Sequence, residues 1–153
     1  MMDPRMRQIE TWLYAYPSWK RRVKNLQAQL NDYPRVGWFS TVPSFPQGET
    51  SDPTYDAVER RWILEEEHIR PLLFWIGLID NALAVLTDEE MTLVRLKYFE
   101  QKNNTIVWEE MYISRRAFFR LRMAVLHRLF EVLGGEFALI WETTDPEWSP
   151  ASR

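Results

Sequence analysis

Apolar residues recur at three- and four-residue steps along most of this chain, the spacing that places them on one face of an α-helix. The longest series lies in the middle of the chain and predicts a helix over 54–86. Asp52 is placed to cap this helix, and Pro53 stands at the first helical position, where its missing N–H costs nothing. The series consists of Trp62, Ile69, Leu72, Ile76, Ile79, Leu83 and Leu86, with Glu65 at its one polar position.

Pro71 lies inside this middle helix and predicts a kink near His68, or two helices in place of one. Further apolar residues fall beside the main series and widen the apolar surface, so we expect the helix to be packed on both sides. These residues are Leu73, Phe74 and Trp75.

The N-terminal residues show the same spacing in two stretches that Pro17 and Ser18 separate. The first stretch begins at Asp3 and Pro4 and the second ends near Tyr33, so we expect an N-terminal helical hairpin packed on the middle helix. The predicted inward residues are Ile9, Trp12, Leu13 and Tyr16, then Trp19, Val23, Leu26, Leu30 and Tyr33. Residues 34–52 contain prolines and glycines without a period, which predicts a long loop that is either functional or mobile.

Three further helices are predicted between residues 87 and 134. Leu86-Thr-Asp-Glu-Glu90 contains a capping box, in which Thr87 or Asp88 caps and Glu89 or Glu90 reaches back. Thr105 is placed to cap a short helix that ends near Met111, and Tyr112 and Ile113 form the turn that follows. Three helices in fewer than fifty residues describe a helix-turn-helix. Phe137-Ala-Leu-Ile-Trp141 then predicts a short strand or a last helical turn.

The last of the three helices carries the candidate chemistry. Ser114 is an N-cap residue, and the helix over 115–133 should end at Gly134 and Gly135. From 115 to 130 it contains five arginines and no acid, although the whole chain has a net charge of -3. Two arginines in the first turn oppose the helix dipole, which indicates a role outside folding. The predicted buried residues are Phe118, Leu121, Val125, Leu129 and Val132.

A basic face on an acidic body indicates a directed contact with an anionic partner, and the alternative is a solvated charged face. The arginine side chain can bond phosphate or the O6 and N7 atoms of guanine. We expect Arg115, Arg116 and Arg120 nearest the bases of double-stranded DNA. The full candidate set is Ser114, Arg115, Arg116, Phe119, Arg120, Arg122, Met123, His127 and Arg128, with Arg122 and Arg128 assigned to phosphates.

A second basic cluster lies on the N-terminal helical segment and consists of Lys20, Arg21, Arg22 and Lys24. It is either a solvated face or a supplementary phosphate contact.

The motifs Leu-Thr-Asp-Glu-Glu, Val-Arg-Leu-Lys-Tyr-Phe and Ile-Ser-Arg-Arg, followed by a long amphipathic helix, resemble region 4 of bacterial sigma factors. The layout of the whole chain resembles that of the phage late-gene transcription regulators of the ArpU and RinA type. The matching segments of this chain are Leu13-Tyr-Ala-Tyr-Pro17, Ile79-Asp-Asn-Ala-Leu83, Lys97-Tyr-Phe99 and Ile113-Ser-Arg-Arg116. The resemblance implies a sequence-specific DNA-binding regulator, a phage or prophage late-gene activator that holds or substitutes for part of the promoter-reading apparatus of RNA polymerase. Direct contact with the polymerase stays open.

The sequence departs from the sigma pattern at Trp108, where the related units carry a small residue about six positions before the capping serine. We expect the indole to be part of the core, and the alternative is a contact with the phosphate backbone or a partner protein. The predicted organisation is all-α: an N-terminal helical domain over 1–86, a helix-turn-helix domain over 87–134 and a C-terminal tail over 135–153.

Composition argues against an enzyme, a cofactor or a metal site. The chain has no cysteine, which excludes disulfides and thiolate chemistry. Glu65-x-x-His68 has the spacing of half a di-iron site, but His127 is the only other histidine and belongs to no such motif. Glycine-rich phosphate loops are absent. Without an apolar signal segment or a bilayer-spanning run, we expect the host cytoplasm or nucleoid and no membrane contact.

Two other functions stay open. A helix-turn-helix component of DNA packaging, such as a small terminase subunit, would use the series from Trp62 to Leu86 as the interface of a ring. A helical adaptor that binds only protein would bury the basic face against an acidic partner. A second copy of the chain is a further candidate for covering the middle helix, because DNA regulators commonly dimerise.

Overall fold

Five helices and no strand make up the part of the chain that the computed structural model describes, residues 2–32 and 53–142. Helix α1 spans Pro4–Asp32, and α2 comprises Pro53–Ile63, a π-helical turn at Leu64–Ile69 and Arg70–Leu83. Helix α3 comprises Asp88–Val94 and a second π-helical turn at Arg95–Phe99, α4 spans Asn104–Glu110 and α5 spans Arg115–Val132. Two 3-10 turns, Gly135–Phe137 and Leu139–Glu142, follow. The all-α prediction is confirmed.

The predicted loop at 34–52, the Asp52 cap, the inward side chain of Tyr33 and the tail beyond residue 142 lie outside the described residues. The predicted start of the middle helix at Pro53 is confirmed.

The predicted helical hairpin before residue 34 is wrong, because α1 is one helix of 29 residues with Pro17 inside it. Proline removes one hydrogen bond of the helix and costs about 3 kcal/mol in an average interior position. The buried residues on the two sides of Pro17 nevertheless follow a single helical period, so a break would expose Trp19 and Val23, each worth about 2 kcal/mol of burial. Burial of the continuing face therefore outweighs the local cost.

Helix α2 departs from α-helical hydrogen bonding where Pro71 predicts it. In the turn at Leu64–Ile69, the backbone N–H of Arg70 donates to the carbonyl of Glu65, five residues earlier. Pro71 has no N–H to donate to a carbonyl in the preceding turn, so the regular α-helical hydrogen bonds are interrupted there, which explains the π-helical turn. The predicted inward series is confirmed at Ile69, Leu72, Ile76 and Ile79, but it is wrong at Trp62 and Glu65, which are exposed.

Helices α1 and α2 run antiparallel. Near one end the Arg61 guanidinium donates to the backbone carbonyl of Leu30, over 2.5 Å, and further along the Tyr16 hydroxyl donates to the Asp80 carboxylate. Tryptophan rings fill the space between the helices and the chain that follows α5. Trp12 contacts Trp75, with ring centroids 4.8 Å apart, and stacks on Trp141 at 5.6 Å.

A single hydrophobic core runs across the predicted domain boundary at residue 86. Residues of α1, α2, α3, α4 and α5 all belong to it, and α1 touches both α2 and α5. The largest fully buried side chains lie in α1, α2, α3 and α5 and include Trp12, Trp19, Tyr98 and Phe118. Helices α3 and α5 are therefore packed directly on α1.

The capping residues explain where the last three helices begin. Thr87 and Glu90 form the capping box of α3: the Glu90 N–H donates to the Thr87 hydroxyl over 3.2 Å, and the Thr87 N–H donates to the Glu90 carboxylate over 3.0 Å. The predicted Thr105 cap is wrong, because Asn103 caps α4 two residues earlier. The Ser114 cap of α5 is confirmed, and its hydroxyl accepts the Ala117 N–H over 3.0 Å.

The buried face of α5 is wider than its predicted stripe. Phe118, Val125 and Leu129 are buried as expected, but the prediction is corrected at Leu121, which is half-buried, and at Val132, which is exposed. Leu126 and Phe130 are buried in addition. They are buried because α5 packs on α1 and the last 3-10 turn as well as on α3. Phe130 stacks on Trp141, with ring centroids 5.6 Å apart, and the guanidinium carbon of Arg5 lies 4.8 Å from the centroid of the Phe130 ring.

Candidate nucleic-acid interface

Helices α3, α4 and α5 form a three-helix unit in which the turn between α4 and α5 precedes the arginine-bearing helix. The turn is closed by the Ile113 N–H, which donates to the Trp108 carbonyl over 3.0 Å. Its central residue, Tyr112, has a positive φ of 57°, a conformation that glycine adopts more readily than other residues. Directly after this turn, Ser114 caps α5 and sets its first turn.

Six of the nine candidate DNA-binding residues are exposed. Among them, Arg116, Arg120 and His127 follow one side of α5, and no acidic residue interrupts the helix before Glu131. The other exposed candidates are Ser114, Arg115 and Arg128, while Phe119, Met123 and Arg122 are partly buried. The N-terminal half of α5 therefore presents positive charge to solvent.

Arg122 lies on the other side of α5 and contacts α1. Its Nε donates to Oε2 of Glu10 over 2.9 Å and its Nη2 donates to Oε1 over 2.8 Å, while the Tyr98 hydroxyl donates to Oε2 over 2.5 Å. Burial alone would lower the pKa of the Arg122 guanidinium, but its contacts with Glu10 raise that pKa above the ordinary value. Arg122 thus holds an internal ion pair, which conflicts with the phosphate contact expected for it.

The anchoring of Arg122 fixes which side of α5 is free. At about 100° per residue, Arg116 lies about 120° and Arg120 about 160° around the helix from Arg122. Because Arg122 points to α1, the two exposed arginines point away from α1. The structure therefore brings Arg116 and Arg120 together on the outer side of α5 and keeps the supporting helix behind them.

Arg128 is half-exposed and touches the buried carboxylate of Glu90, with 3.2 Å between Nε and Oε2. Since Glu90 also completes the capping box with Thr87, this contact ties the start of α3 to the second half of α5. Arg128 retains exposed surface, but its charge is partly compensated. The strongest uncompensated charge of α5 is accordingly in its N-terminal half.

Aromatic side chains support the first turn of α5. Trp108 on α4, which was expected in the core, is half-buried and packs against the core. Its ring centroid lies 5.6 Å from that of Phe118 and 6.3 Å from that of Phe119. The guanidinium carbon of Arg115 lies 5.7 Å from the centroid of Phe119, within cation–π distance. Phe119 therefore restrains Arg115 toward the α4 side, apart from Arg116 and Arg120.

The basic cluster of α1 is exposed but separate from the α5 surface. Lys20, Arg21, Arg22 and Lys24 are all accessible, and the Lys20 ammonium lies 5.2 Å from the centroid of Tyr16. Since α1 packs behind α5 relative to Arg116 and Arg120, the structure does not bring the two basic sets together. The suggested supplementary phosphate contact is therefore not on the same surface.

Two residues of this unit were missed by the sequence reasoning. Tyr112 is 95 % exposed and immediately precedes the α5 cap, a position that only the backbone conformation distinguishes. Lys97 is buried, and its Nζ donates to Oδ1 of Asn104 over 2.8 Å and to the Tyr14 hydroxyl over 3.2 Å. Lys97 thereby fixes the start of α4 to α3 and α1. The helical period, which places Lys97 beside Tyr98, gave no signal for burial of its charge.

Within residues 2–32 and 53–142, no group of three or more histidine, aspartate or glutamate side chains could hold a metal ion. In the same residues, no helix combines the length and the apolar character that crossing a bilayer requires.

Comparison with models of protein families, with curated proteins and with solved structures finds no match to this chain.

Proposed function

We propose that this protein is a sequence-specific DNA-binding transcription regulator that inserts α5 into the major groove of double-stranded DNA. One observation carries the proposal: Arg116, Arg120 and His127 line the outer side of a capped helix whose opposite side is anchored by Arg122. A rigid helix with exposed arginines in its N-terminal half is the arrangement with which helix-turn-helix proteins read base edges.

Ser114 and the three exposed arginines in the N-terminal half of α5 each have a role in this proposal. Arg116 and Arg120 reach the base edges, where a planar guanidinium donates two hydrogen bonds to the O6 and N7 atoms of guanine. Arg115, restrained by Phe119, contacts a backbone phosphate, and Ser114 donates one further hydrogen bond at the helix start. Arg122 is left out of the contacting set because Glu10 already holds it.

The narrower assignment, a phage or prophage late-gene activator that contacts RNA polymerase, is also a proposal. It is supported by the resemblance of the α3–α5 motifs to sigma factor region 4 and by the order of the helices. A regulator of this type holds or replaces part of the promoter-reading apparatus of the polymerase. Cofactor or metal binding forms no part of the mechanism.

The test is selection of bound fragments from a random DNA library, followed by mobility shifts on the selected duplex. Arg116→Ala and Arg120→Ala should each weaken specific binding by about 1 to 3 kcal/mol. Arg60→Ala, which removes an exposed arginine of α2, is the matched control and should leave the affinity unchanged. Failure of the selection to enrich any sequence, or unchanged affinity in both α5 variants, rejects the groove assignment.

A small terminase subunit is the second candidate, and the exposed apolar residues of α2 favour it, because such subunits assemble into rings. Trp62 and Phe74 are 59 % and 58 % exposed. The mass in solution separates the two functions: a ring contains about eight or more copies, whereas a regulator contains one or two.

A further inference from the structure

Large apolar side chains are exposed along α2, on the side that faces away from α1. Aromatic and branched residues at a surface are costly when they form a connected patch, and such a patch usually marks an interface. Trp62 and Phe74 are the most prominent members, and the others are Tyr55, Val58 and Leu73.

The π-helical turn brings Trp62 and Phe74 to the same side of α2. On a regular α-helix these residues, twelve positions apart, would point about 120° away from each other. The turn at Leu64–Ile69 adds about one residue to the helical path, which reduces this angle to about 20°. Between them lie Glu66 and Arg70, which form an ion pair with 3.1 Å between Oε1 and Nη2. Trp62, Glu66, Arg70 and Phe74 therefore form one row, with a spacing of four residues, which we call the α2 row.

The α2 row is complementary to itself when its direction is reversed. Its order is aromatic, acidic, basic, aromatic, so an antiparallel second copy would place Trp62 against Phe74 and Glu66 against Arg70. We propose that two copies of this chain associate through the α2 row about a two-fold axis at the level of residue 68. A two-fold contact uses the same patch on both subunits, and the α2 row meets that requirement with matched charges.

In such a dimer the four central charges alternate in sign. Each Glu66 carboxylate lies between the Arg70 of its own helix and the Arg70 of the other copy, so the intramolecular ion pair is retained when the second contact forms. Trp62 and Phe74 flank this charged centre and exclude water from it, with Leu73 beside them. Tryptophan and arginine, both present in the α2 row, are enriched among the residues that contribute most to the binding energy of interfaces.

Sedimentation equilibrium of the full chain, without DNA, tests the proposal. The wild type should be a dimer at tens of micromolar. Glu66→Arg and Arg70→Glu each replace both intersubunit attractions by repulsions, so the dissociation constant of each variant should rise about tenfold or more. An equimolar mixture of the two variants should form a heterodimer, because every cross-pair is again of opposite charge. The double variant should dimerise by itself.

Two further variants complete the experiment. Trp62→Ala should weaken the dimer without charge change, whereas Arg60→Glu, an equal charge reversal off the row, should leave it intact. Circular dichroism should show that all variants keep the wild-type helix content. A monomeric wild type, a larger ring, or charge reversals without effect would overturn the proposal. Since no DNA is present, these outcomes are independent of whether α5 binds a duplex.

Discussion

The guanidinium of Arg122 on α5 and the carboxylate of Glu10 on α1 meet at two points, at 2.9 and 2.8 Å. A two-point contact fixes orientation as well as distance, because the planar fork fits the carboxylate in one plane. The pair therefore acts together with the buried apolar side chains of α5 to set the rotation of this helix about its own axis. That rotation decides which arginines face solvent.

Removing the charge of Glu10 should destabilise the fold. In Glu10→Gln the Arg122 guanidinium stays largely buried without a carboxylate, and we expect the free energy of unfolding to fall by about 2 to 3 kcal/mol. Urea denaturation at neutral pH measures this change. Arg116→Ala, a substitution on the outer side of the same helix, should stay within about 0.5 kcal/mol of the wild type. Equal effects of the two variants would contradict the anchoring role of the pair.

Alkaline pH should reduce stability through Tyr98. Burial, then the negative charge of Glu10, raises the pKa of Tyr98 above its ordinary value of 10.0. Below that value both states keep the phenol proton. Above it the unfolded chain loses the proton while the folded chain keeps it, so the free energy of unfolding falls with rising pH, by up to about 1.4 kcal/mol per pH unit.

The measurement is urea denaturation between about pH 9 and about pH 11, where the unfolded phenol titrates. Tyr98→Phe should flatten the decline but not abolish it, because burial and the Asp80 contact also raise the pKa of Tyr16. A variant that also carries Tyr16→Phe should be flatter still. A decline of wild-type steepness in Tyr98→Phe would show that this phenol does not contribute.

The sequence predicted most helix boundaries because they depend on local chemistry. The capping box at Thr87 and Glu90 and the cap at Ser114 involve residues three positions apart, and the structure contains both. The helix break predicted at Pro17 was wrong because the prediction considered only the lost hydrogen bond of the proline. It did not consider the apolar side chains that are buried beyond Pro17. The apolar residues from Trp12 to Val23 keep one helical spacing across Pro17, which indicates a single continuous helix.

The candidate site was predictable only in part. The exposure of Arg116 and Arg120 could be predicted, because the spacing of the apolar residues of α5 shows which face of the helix is buried, and both arginines lie off that face. The role of Arg122 does not, because its partner Glu10 lies 112 positions away in the sequence and on another helix. The same limit applies to Trp62, whose exposure depends on a π-helical turn that shifts the face of α2. The wrong predictions for Arg122 and Trp62 thus arise from an ion pair between distant residues and from an irregular helical turn.

Replacing Tyr112, in the turn before α5, by glycine should stabilise the fold. Tyr112 has a φ of 57°, and a side chain in this left-handed region costs about 1 kcal/mol. Because glycine also increases the freedom of the unfolded chain, Tyr112→Gly should raise the free energy of unfolding by only about 0.5 kcal/mol. Thermal and urea denaturation measure the change. Glu109→Gly, in the preceding helix, should instead lower stability by about 1 kcal/mol. A loss of stability in Tyr112→Gly would indicate contacts of the phenol that outweigh the backbone gain.

Arg115 and Arg116 are adjacent in sequence but should have different effects on DNA binding. Phe119 restrains the Arg115 guanidinium, which we assign to a phosphate, whereas Arg116 on the outer side is assigned to a base. Arg115→Ala should therefore weaken binding to a selected and a scrambled duplex alike and reduce the salt slope by about 1. Arg116→Ala should cost about 1 to 3 kcal/mol on the selected duplex and little on the scrambled one. Titrations of both duplexes over a range of salt concentrations measure these effects. The assignment would be reversed if Arg115→Ala abolished discrimination between the duplexes while Arg116→Ala preserved it.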